Sequence, residues 1–293
     1  MTSAGEPTWH GLVLVATPIG NLGDLSARAV RTLAEADVVC CEDTRRTRAL
    51  LSAAGVRAPR LVAVHRHNER QQAAEVAARA AAGERVAVVS DAGTPGVADP
   101  GAALVAAAVE AGAPVSVVPG PNAALAALVV SGLAGDRFCV EGFLPRRGPQ
   151  RRRRLDALAG DERATAVYEA PGRVAATLAD VVSVCGPDRP VAVVRELTKL
   201  HEEVWRGTAG QAAAEFRARS ATGELRGEVV LVVAGSPAPV MGVPDEVVDA
   251  AVARRRAAGD SARDAAAGAA AELGVSRRRA YERAVHSPDD EVR

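Results

Sequence analysis

Short apolar runs alternate with longer Ala-rich amphipathic stretches through the first half of the chain. Strand-length runs occupy Leu12–Ala16, Asp37–Cys41, Leu61–His65, Val86–Ser90 and Val115–Val118. Between and after them, Leu25–Ala36, Thr44–Ala54, Glu69–Ala82, Gly101–Ala111 and Ala123–Ser131 have helical length and spacing. This rhythm predicts βαβ units and a mainly parallel sheet covered by helices on both faces. The second half alternates less regularly, with strand candidates at Arg137–Glu141, Ala164–Tyr168, Val191–Arg195, Glu202–Thr208 and Glu228–Val233. The pair flanking the Leu197–Glu202 turn resembles a hairpin, which predicts a mixed second sheet.

The same pattern divides the chain. Residues 1–11 read as a disordered tail, 12–135 as an N-terminal α/β domain, and 136–235 as a second α/β domain. The run Ser236-Pro237-Ala238-Pro239-Val240-Met241-Gly242-Val243-Pro244 breaks every periodicity, so 236–244 reads as a linker. Residues 245–293 form a small helical domain with helices at 245–257, 260–272 and 276–285. Its Leu273-Gly274-Val275-Ser276 join resembles a helix-turn-helix corner, with Ser276 as N-cap.

Three turns in the first half are unusual: Ala16-Thr17-Pro18-Ile19-Gly20-Asn21-Leu22-Gly23-Asp24, Ser90-Asp91-Ala92-Gly93-Thr94-Pro95 and Pro119-Gly120-Pro121-Asn122. In an open α/β sheet such turns gather at the carboxyl ends of the strands, where ligands bind. Pro stiffens the loop and Gly admits close backbone approach, so together they describe a rigid cup for a small molecule. The first turn lacks G-x-G-x-x-G and no GxxxxGK[ST] occurs, which argues against dinucleotide and P-loop sites.

Composition narrows the picture. The chain is 293 residues long, 48% hydrophobic and formally uncharged, so only local clusters can speak for a polyanionic partner. Aromatic residues are 2%, too few for a base-stacking platform. Cys40, Cys41, Cys139 and Cys185 form no CxxC pair and read as buried thiols in a reducing compartment. His65 and His67 lack a clear third partner, so no metal is expected. Met1–His10 carries no signal-peptide pattern and Ala123–Ala134 is too short to span a bilayer, so the expectation is a cytoplasmic protein without a membrane partner.

Charge clusters add candidates. The run Arg146-Arg147-Gly148-Pro149-Gln150-Arg151-Arg152-Arg153-Arg154 holds six arginines and no acid, and reads as a partly mobile loop suited to phosphate contact. Arg45, Arg46 and Arg48 oppose the dipole at a helix start and hint at an external anion. Arginine clusters at 254–256 and 277–279 lie among acids, which weakens a nucleic-acid role for the tail. Asp99-Pro100-Gly101 reads as an N-cap followed by an N1 proline. Lys199 is the only lysine in the chain, at a strand end within Arg195-Glu196-Leu197-Thr198-Lys199.

Taken together, the first turn, Glu42-Asp43-Thr44-Arg45, His67-Asn68-Glu69, the second and third turns, Glu141-Gly142-Phe143-Leu144-Pro145 and the Arg195–Lys199 stretch resemble one family. It is the bacterial ribosomal RNA small-subunit methyltransferase I family, a branch of the tetrapyrrole-methylase superfamily. The resemblance implies S-adenosylmethionine-dependent methylation of a cytidine ribose 2′-hydroxyl in the decoding region of 16S ribosomal RNA. The RNA partner would be free 16S RNA or the small subunit, and the protein a homodimer. It also implies a donor site formed by Pro18, Ile19, Asp91, Thr94, Ala123, Ala124, Tyr168, Leu197 and Glu228. Gly172 stands where the family often has His.

A ribose hydroxyl is a poor nucleophile, and a positioned base would assist it. Lys199 is the candidate base or orienting group, tuned by Glu196 or Asp91, with an amine pKa expected to fall through burial beside a sulfonium. Arg45, Arg146, Arg147, Arg151, Arg152, Arg153 and Arg154 are the candidate RNA contacts. Two rivals are a tetrapyrrole-precursor methyltransferase of the same superfamily and a ligand-sensing DNA-binding regulator built on the helical tail.

Overall fold

The computed structural model describes residues 9–237, 243–273 and 275–285. The expected tail lies outside them up to residue 8, as do most of the linker, the Gly274 corner and residues 286–293. Trp9 donates from Nε1 to Glu35 at 3.2 Å and packs against the core, so residues 9–11 do not belong to a tail. The chain separates into a unit ending at Gly235 and a second beginning at Ser236.

In the first unit, the first sheet contains β1 (Gly11–Val15), β2 (Val38–Cys41), β3 (Arg60–Ala63), β4 (Arg85–Val88) and β5 (Val115–Val118), all parallel, in the order β3-β2-β4-β1-β5. The helices α1 (Ala27–Glu35), α2 (Thr44–Ala53), α3 (Glu69–Ala81) and α4 (Ala102–Glu110) connect these strands. Burial explains the hydrophobic runs: alternate residues of one strand serve opposite faces. Leu12, Cys40, Val86 and Val88 join the core with α3 and α4, while Val13, Val15, Val39, Cys41 and Ala87 join the core with α1 and α2.

α5 (Ala123–Ser131) leaves the first sheet and packs on the second. That sheet contains β6 (Phe138–Phe143), β7 (Ala164–Glu169), β8 (Pro190–Arg195), β9 (Glu203–Thr208) and β10 (Val229–Val233), in the order β6-β7-β10-β8-β9. Only β6 and β7 are parallel; the expected hairpin is the antiparallel β8–β9 pair. α6 (Pro149–Gly160), α7 (Val174–Cys185) and α8 (Ala209–Ala221) complete this half. The arginine run is therefore mostly helix, not mobile loop. Pro149 occupies the first helical turn, where its missing N–H costs no intrahelical bond.

The second unit contains α9 (Asp245–Ala257), α10 (Ala262–Leu273) and α11 (Arg277–Val285) around a small core of Val248, Val252 and alanines. Ser276 caps α11, its Oγ accepting from Arg279 N at 3.2 Å. Four arginines of this unit pair with its own acids. Arg254 and Arg255 pair with Glu272, Arg279 with Asp245, and Arg283 with Asp249. Among the described residues, no helix is long and apolar enough to cross a membrane, and no cluster of three or more His, Cys, Asp or Glu could hold a metal.

Phe216 is fully buried between the second sheet and α7, edge-on to Trp205 at 5.8 Å. Phe216→Ala is expected to cost about 3–5 kcal/mol, read as a lower midpoint in denaturant melts.

Candidate active site

The first two turns meet at the carboxyl end of the parallel sheet. Thr17 and Gly93 exchange backbone hydrogen bonds of 2.9 and 3.1 Å, and Thr17 Oγ1 donates to the Ser90 carbonyl at 3.2 Å. Thr94 Oγ1 donates to the Pro121 carbonyl at 3.1 Å, tying in the third turn. Side-chain caps carry the chain onward into helices: Asp43 accepts from Arg45 N, and Asn122 from Leu125 N.

A cleft of about 260 Å³ opens between Ile19 of the first turn, the 97–99 loop, the start of α5 and the second sheet. Five of the nine expected donor contacts line it: Ile19, Ala123, Tyr168, Leu197 and Glu228. Pro18, Asp91, Thr94 and Ala124 are not on its lining. Ala124 is buried behind the wall, and Thr94 is committed to Pro121. Asp91 accepts from Asp43 N at 3.1 Å and pairs with Arg46 at 3.3 Å, so its carboxylate is occupied at the start of α2. Phe143, absent from the expected contacts, packs tilted against Tyr168 with centroids 5.4 Å apart to form an aromatic wall. Burial pushes the Tyr168 hydroxyl up, against a backbone hydrogen bond from Ala124.

Asp99 is the main residue that the sequence reading passed over. It does not cap α4. That task falls to Glu69, whose Oε1 accepts from Gly101 N at 2.8 Å and Ala103 N at 2.9 Å. Asp99 instead lines the cleft. Burial pushes the Asp99 carboxyl up to about 6, Glu42 and Asp91 push the same way, and Arg66 opposes them. A carboxyl held in such surroundings suits a cationic ligand. The signal was hidden because the true cap lies 32 residues away in sequence.

Lys199 stands between two carboxylates, its Nζ donating to Glu196 at 2.8 Å and to Glu228 at 3.0 Å. Burial pulls its pKa down, but these hydrogen bonds and charges outweigh it, so the ammonium is held above its ordinary range. The expected depressed amine is not what this site contains. Lys199 bonding, its charge and a backbone hydrogen bond from Glu228 outweigh burial and lower the Glu196 carboxyl. The lysine stem lies against the first turn: a Cβ on Gly20 would come within 2.4 Å of Lys199 Cγ.

The expected arginine contacts divide by partner. Arg151 is locked to Asp180 at 2.6 Å, to Thr177 and to the Pro145 carbonyl. Arg154 pairs with Glu141, and exposed Arg45 pairs with Asp43 at 2.9 Å. Among the described residues, no carboxylate pairs with Arg146, Arg147, Arg152 or Arg153. Arg146, Arg147 and Arg152 line one surface hollow with Arg151, and Arg153 borders another.

A parallel five-stranded sheet followed by a mixed five-stranded one, with a cleft at the carboxyl end of the first, is the architecture of a tetrapyrrole methylase. The family model described as Tetrapyrrole (Corrin/Porphyrin) Methylases matches residues 11–213. The chain is 48% identical over 225 residues to Ribosomal RNA small subunit methyltransferase I of Synechocystis sp., covering 77% of this chain and 79% of that one. The Mycobacterium tuberculosis protein of the same name is 44% identical over 284 residues, covering 94% and 95%. The protein belongs to the ribosomal RNA small subunit methyltransferase I family. Its fold also matches uroporphyrin-III C-methyl transferase from Thermus thermophilus complexed with S-adenyl homocysteine, with TM-score 0.51 and 21% identity, over 77% of this chain and 97% of that one.

The raised Asp99 carboxyl has a consequence for stability. Its folded pKa lies above its unfolded value, so its contribution is full below the unfolded pKa near 3.8 and is lost as pH rises through about 6. Asp99→Asn escapes that loss. Linkage alone would give about 3 kcal/mol, and solvent screening of the partly exposed carboxyl cuts this, so the ligand-free variant should be more stable than the parent by about 1 kcal/mol above the upper pKa, and not below the lower one. Paired thermal melts at the two pH extremes measure this.

Proposed function

We propose that this protein transfers a methyl group from S-adenosylmethionine to the ribose 2′-hydroxyl of a cytidine in the decoding region of 16S ribosomal RNA. The observation that carries the donor assignment is the cleft itself. An apolar and aromatic wall of Ile19, Phe143, Tyr168 and Leu197 stands beside the Asp99 and Glu228 carboxyls. Such a lining fits a donor with a flat base and positive charge. When bound, the donor supplies a methyl group on a cationic sulfur, open to in-line displacement by an oxygen.

The chain's own groups divide the remaining work. Asp99 offers negative charge to the cationic part of the donor. Lys199 keeps Glu196 and Glu228 in place and presents an N–H that can orient an incoming oxygen. An ammonium shared by two carboxylates is a poor proton acceptor, so Lys199 acts here as an orienting group rather than a base.

RNA as acceptor is supported by the arginines that the fold leaves without carboxylates. Arg146 and Arg147 follow the β6 strand that ends at Phe143 in the cleft, and Arg152 and Arg153 follow on α6. Arg151 and Arg154 act as pegs that fix the helix, so the phosphate contacts fall to the other four. Small-subunit ribosomal RNA in the relatives' name points the same way. A tetrapyrrole acceptor would leave this cationic ridge unused. The regulator reading loses ground because Arg254, Arg255, Arg279 and Arg283 of the tail are neutralised within their own unit. The proposal carries with it a cytoplasmic homodimer, which sedimentation of the purified protein checks.

Ribose-methylation mapping of 16S RNA from cells with and without the gene tests the activity. One decoding-region cytidine should lose its 2′-O-methyl mark, and an unchanged map would end the proposal. Charge reversal of Arg152 and Arg153 together should lower RNA affinity and reduce the slope of log affinity against log salt by about 2. Calorimetric S-adenosylhomocysteine binding should be unchanged in that variant.

A further inference from the structure

The corner between β3 and α3 grips the loop that carries Asp99 on both sides. On one side Arg66 donates from Nη2 to the Ala98 carbonyl at 3.0 Å. On the other, Glu69 accepts from the backbone of Gly101 and Ala103. Asp99 sits between these two points.

The corner is built to hold its shape. Asn68 Oδ1 accepts from His65 N at 2.8 Å, and its Nδ2 donates to the Ala63 carbonyl at 3.0 Å. The His65 carbonyl then accepts from both Asn68 N and Glu69 N at 2.9 Å. Arg66 and Glu69 are thus offered from one rigid turn. The loop they hold is strained, because Ala98 has φ +63, a conformation that L residues avoid. A strained loop keeps its shape only when its surroundings over-determine it, and the Arg66 contact supplies one such determinant at the strained residue.

We propose that Arg66 is a positioning residue for the donor cleft, clamping the 97–103 loop together with Glu69 so that the Asp99 carboxyl is presented to a cationic ligand. This rests on the reading of the cleft as the donor site. Arg66 acts through geometry and through charge. Among the described residues it is the cation that opposes Glu42 and Asp91 in setting the protonation of Asp99. Glu169 and Glu228 add further acid to the same lining, Tyr168 senses the Asp99 charge, and His65 and His67 flank Arg66.

The test uses the full chain as parent, Arg66→Met and Arg66→Lys. Arg66 is exposed, so both variants should fold, and thermal melts confirm it. Calorimetric titration with S-adenosylhomocysteine, whose ammonium group keeps a positive charge after the sulfur has lost its own, should show parent affinity rising with pH through about 6. Arg66→Met should bind roughly three- to tenfold more weakly near that pH, with its midpoint moved upward. Arg66→Lys should return the midpoint toward that of the parent. Without any ligand, the amides of Gly96, Val97, Gly101 and Ala103 should exchange hydrogen faster in Arg66→Met. Exchange equal to that of the parent overturns the clamp whether or not the parent takes up the probe. A midpoint unmoved in Arg66→Met overturns it as well. A parent that takes up no S-adenosylhomocysteine, while its loop exchanges as expected, sinks the donor reading and leaves the clamp standing.

Discussion

The close packing of α5 on the second sheet is the constraint from which the cleft follows. α5 begins at the rim of the parallel sheet, yet it buries Ala124, Ala127 and Leu128 against Ala164, Ala166, Ala192, Val194, Val230 and Val232. Alanine faces alanine across much of this contact, so helix and sheet approach closely. Ile19 from the first turn and Leu197 from the β8–β9 turn join the same cluster. Two cleft walls are therefore anchored in one apolar seam. Arg206 adds a polar fastening, donating to the Ser131 and Val130 carbonyls at the end of α5. Cations there also satisfy carbonyls that the helix leaves unpaired. Larger residues at Ala166 or Ala192 would separate the walls before they touched any ligand.

Electrostatics divides the first unit into two territories. The cleft collects acids: Asp99 and Glu228 on the lining, with Glu42, Asp91 and Glu196 close behind. The α6 region collects arginines whose pegs, Asp180 and Glu141, are used up by Arg151 and Arg154. On the proposed function, a cationic donor and an anionic acceptor would thereby be drawn to different places on one surface. Such a separation would let the small ligand be held by shape and charge while the polymer is held by its backbone.

Much of this was legible from the chain. All ten strands fall within two residues of the apolar runs, because short Val-rich stretches between Gly and Pro turns have few other uses. The three turns were legible for the same reason, since Pro and Gly leave the backbone few choices. α6, α7 and α8 were not. In α6 the arginines masked a helix whose buried side is only Leu155 and Leu158, although Pro149 at its first turn was a usable start signal. Asp99 and Lys199 were misread because their states depend on partners distant in sequence: Glu69, 32 residues from Gly101, and Glu228, 29 residues from Lys199. Local pattern can say where a carboxylate stands, but not which charges the fold will bring to it.

Strain falls where these long-range partners meet. Among the described residues, the non-glycine positions with positive φ are Ala98, Glu196 and Thr198, all bordering the cleft or its Lys199 corner. Each is over-determined by neighbours. Ala98 has Arg66, while Glu196 N donates to the Glu228 carbonyl at 3.0 Å and Thr198 N to Glu202 Oε2 at 2.7 Å. The Glu196 carboxylate nests where a Cβ on Gly227 would come within 2.3 Å, so that glycine is required by close approach as well as by its φ of +85. Left-handed alanine, glutamate and threonine each cost of the order of 1 kcal/mol or more. A fold under selection for stability alone would relax them. All three lie beside charged or cleft-lining groups rather than turning a solvent loop, so on the proposed reading of the cleft the strain would keep it shaped before a ligand arrives, and binding would not have to supply the energy of forming it.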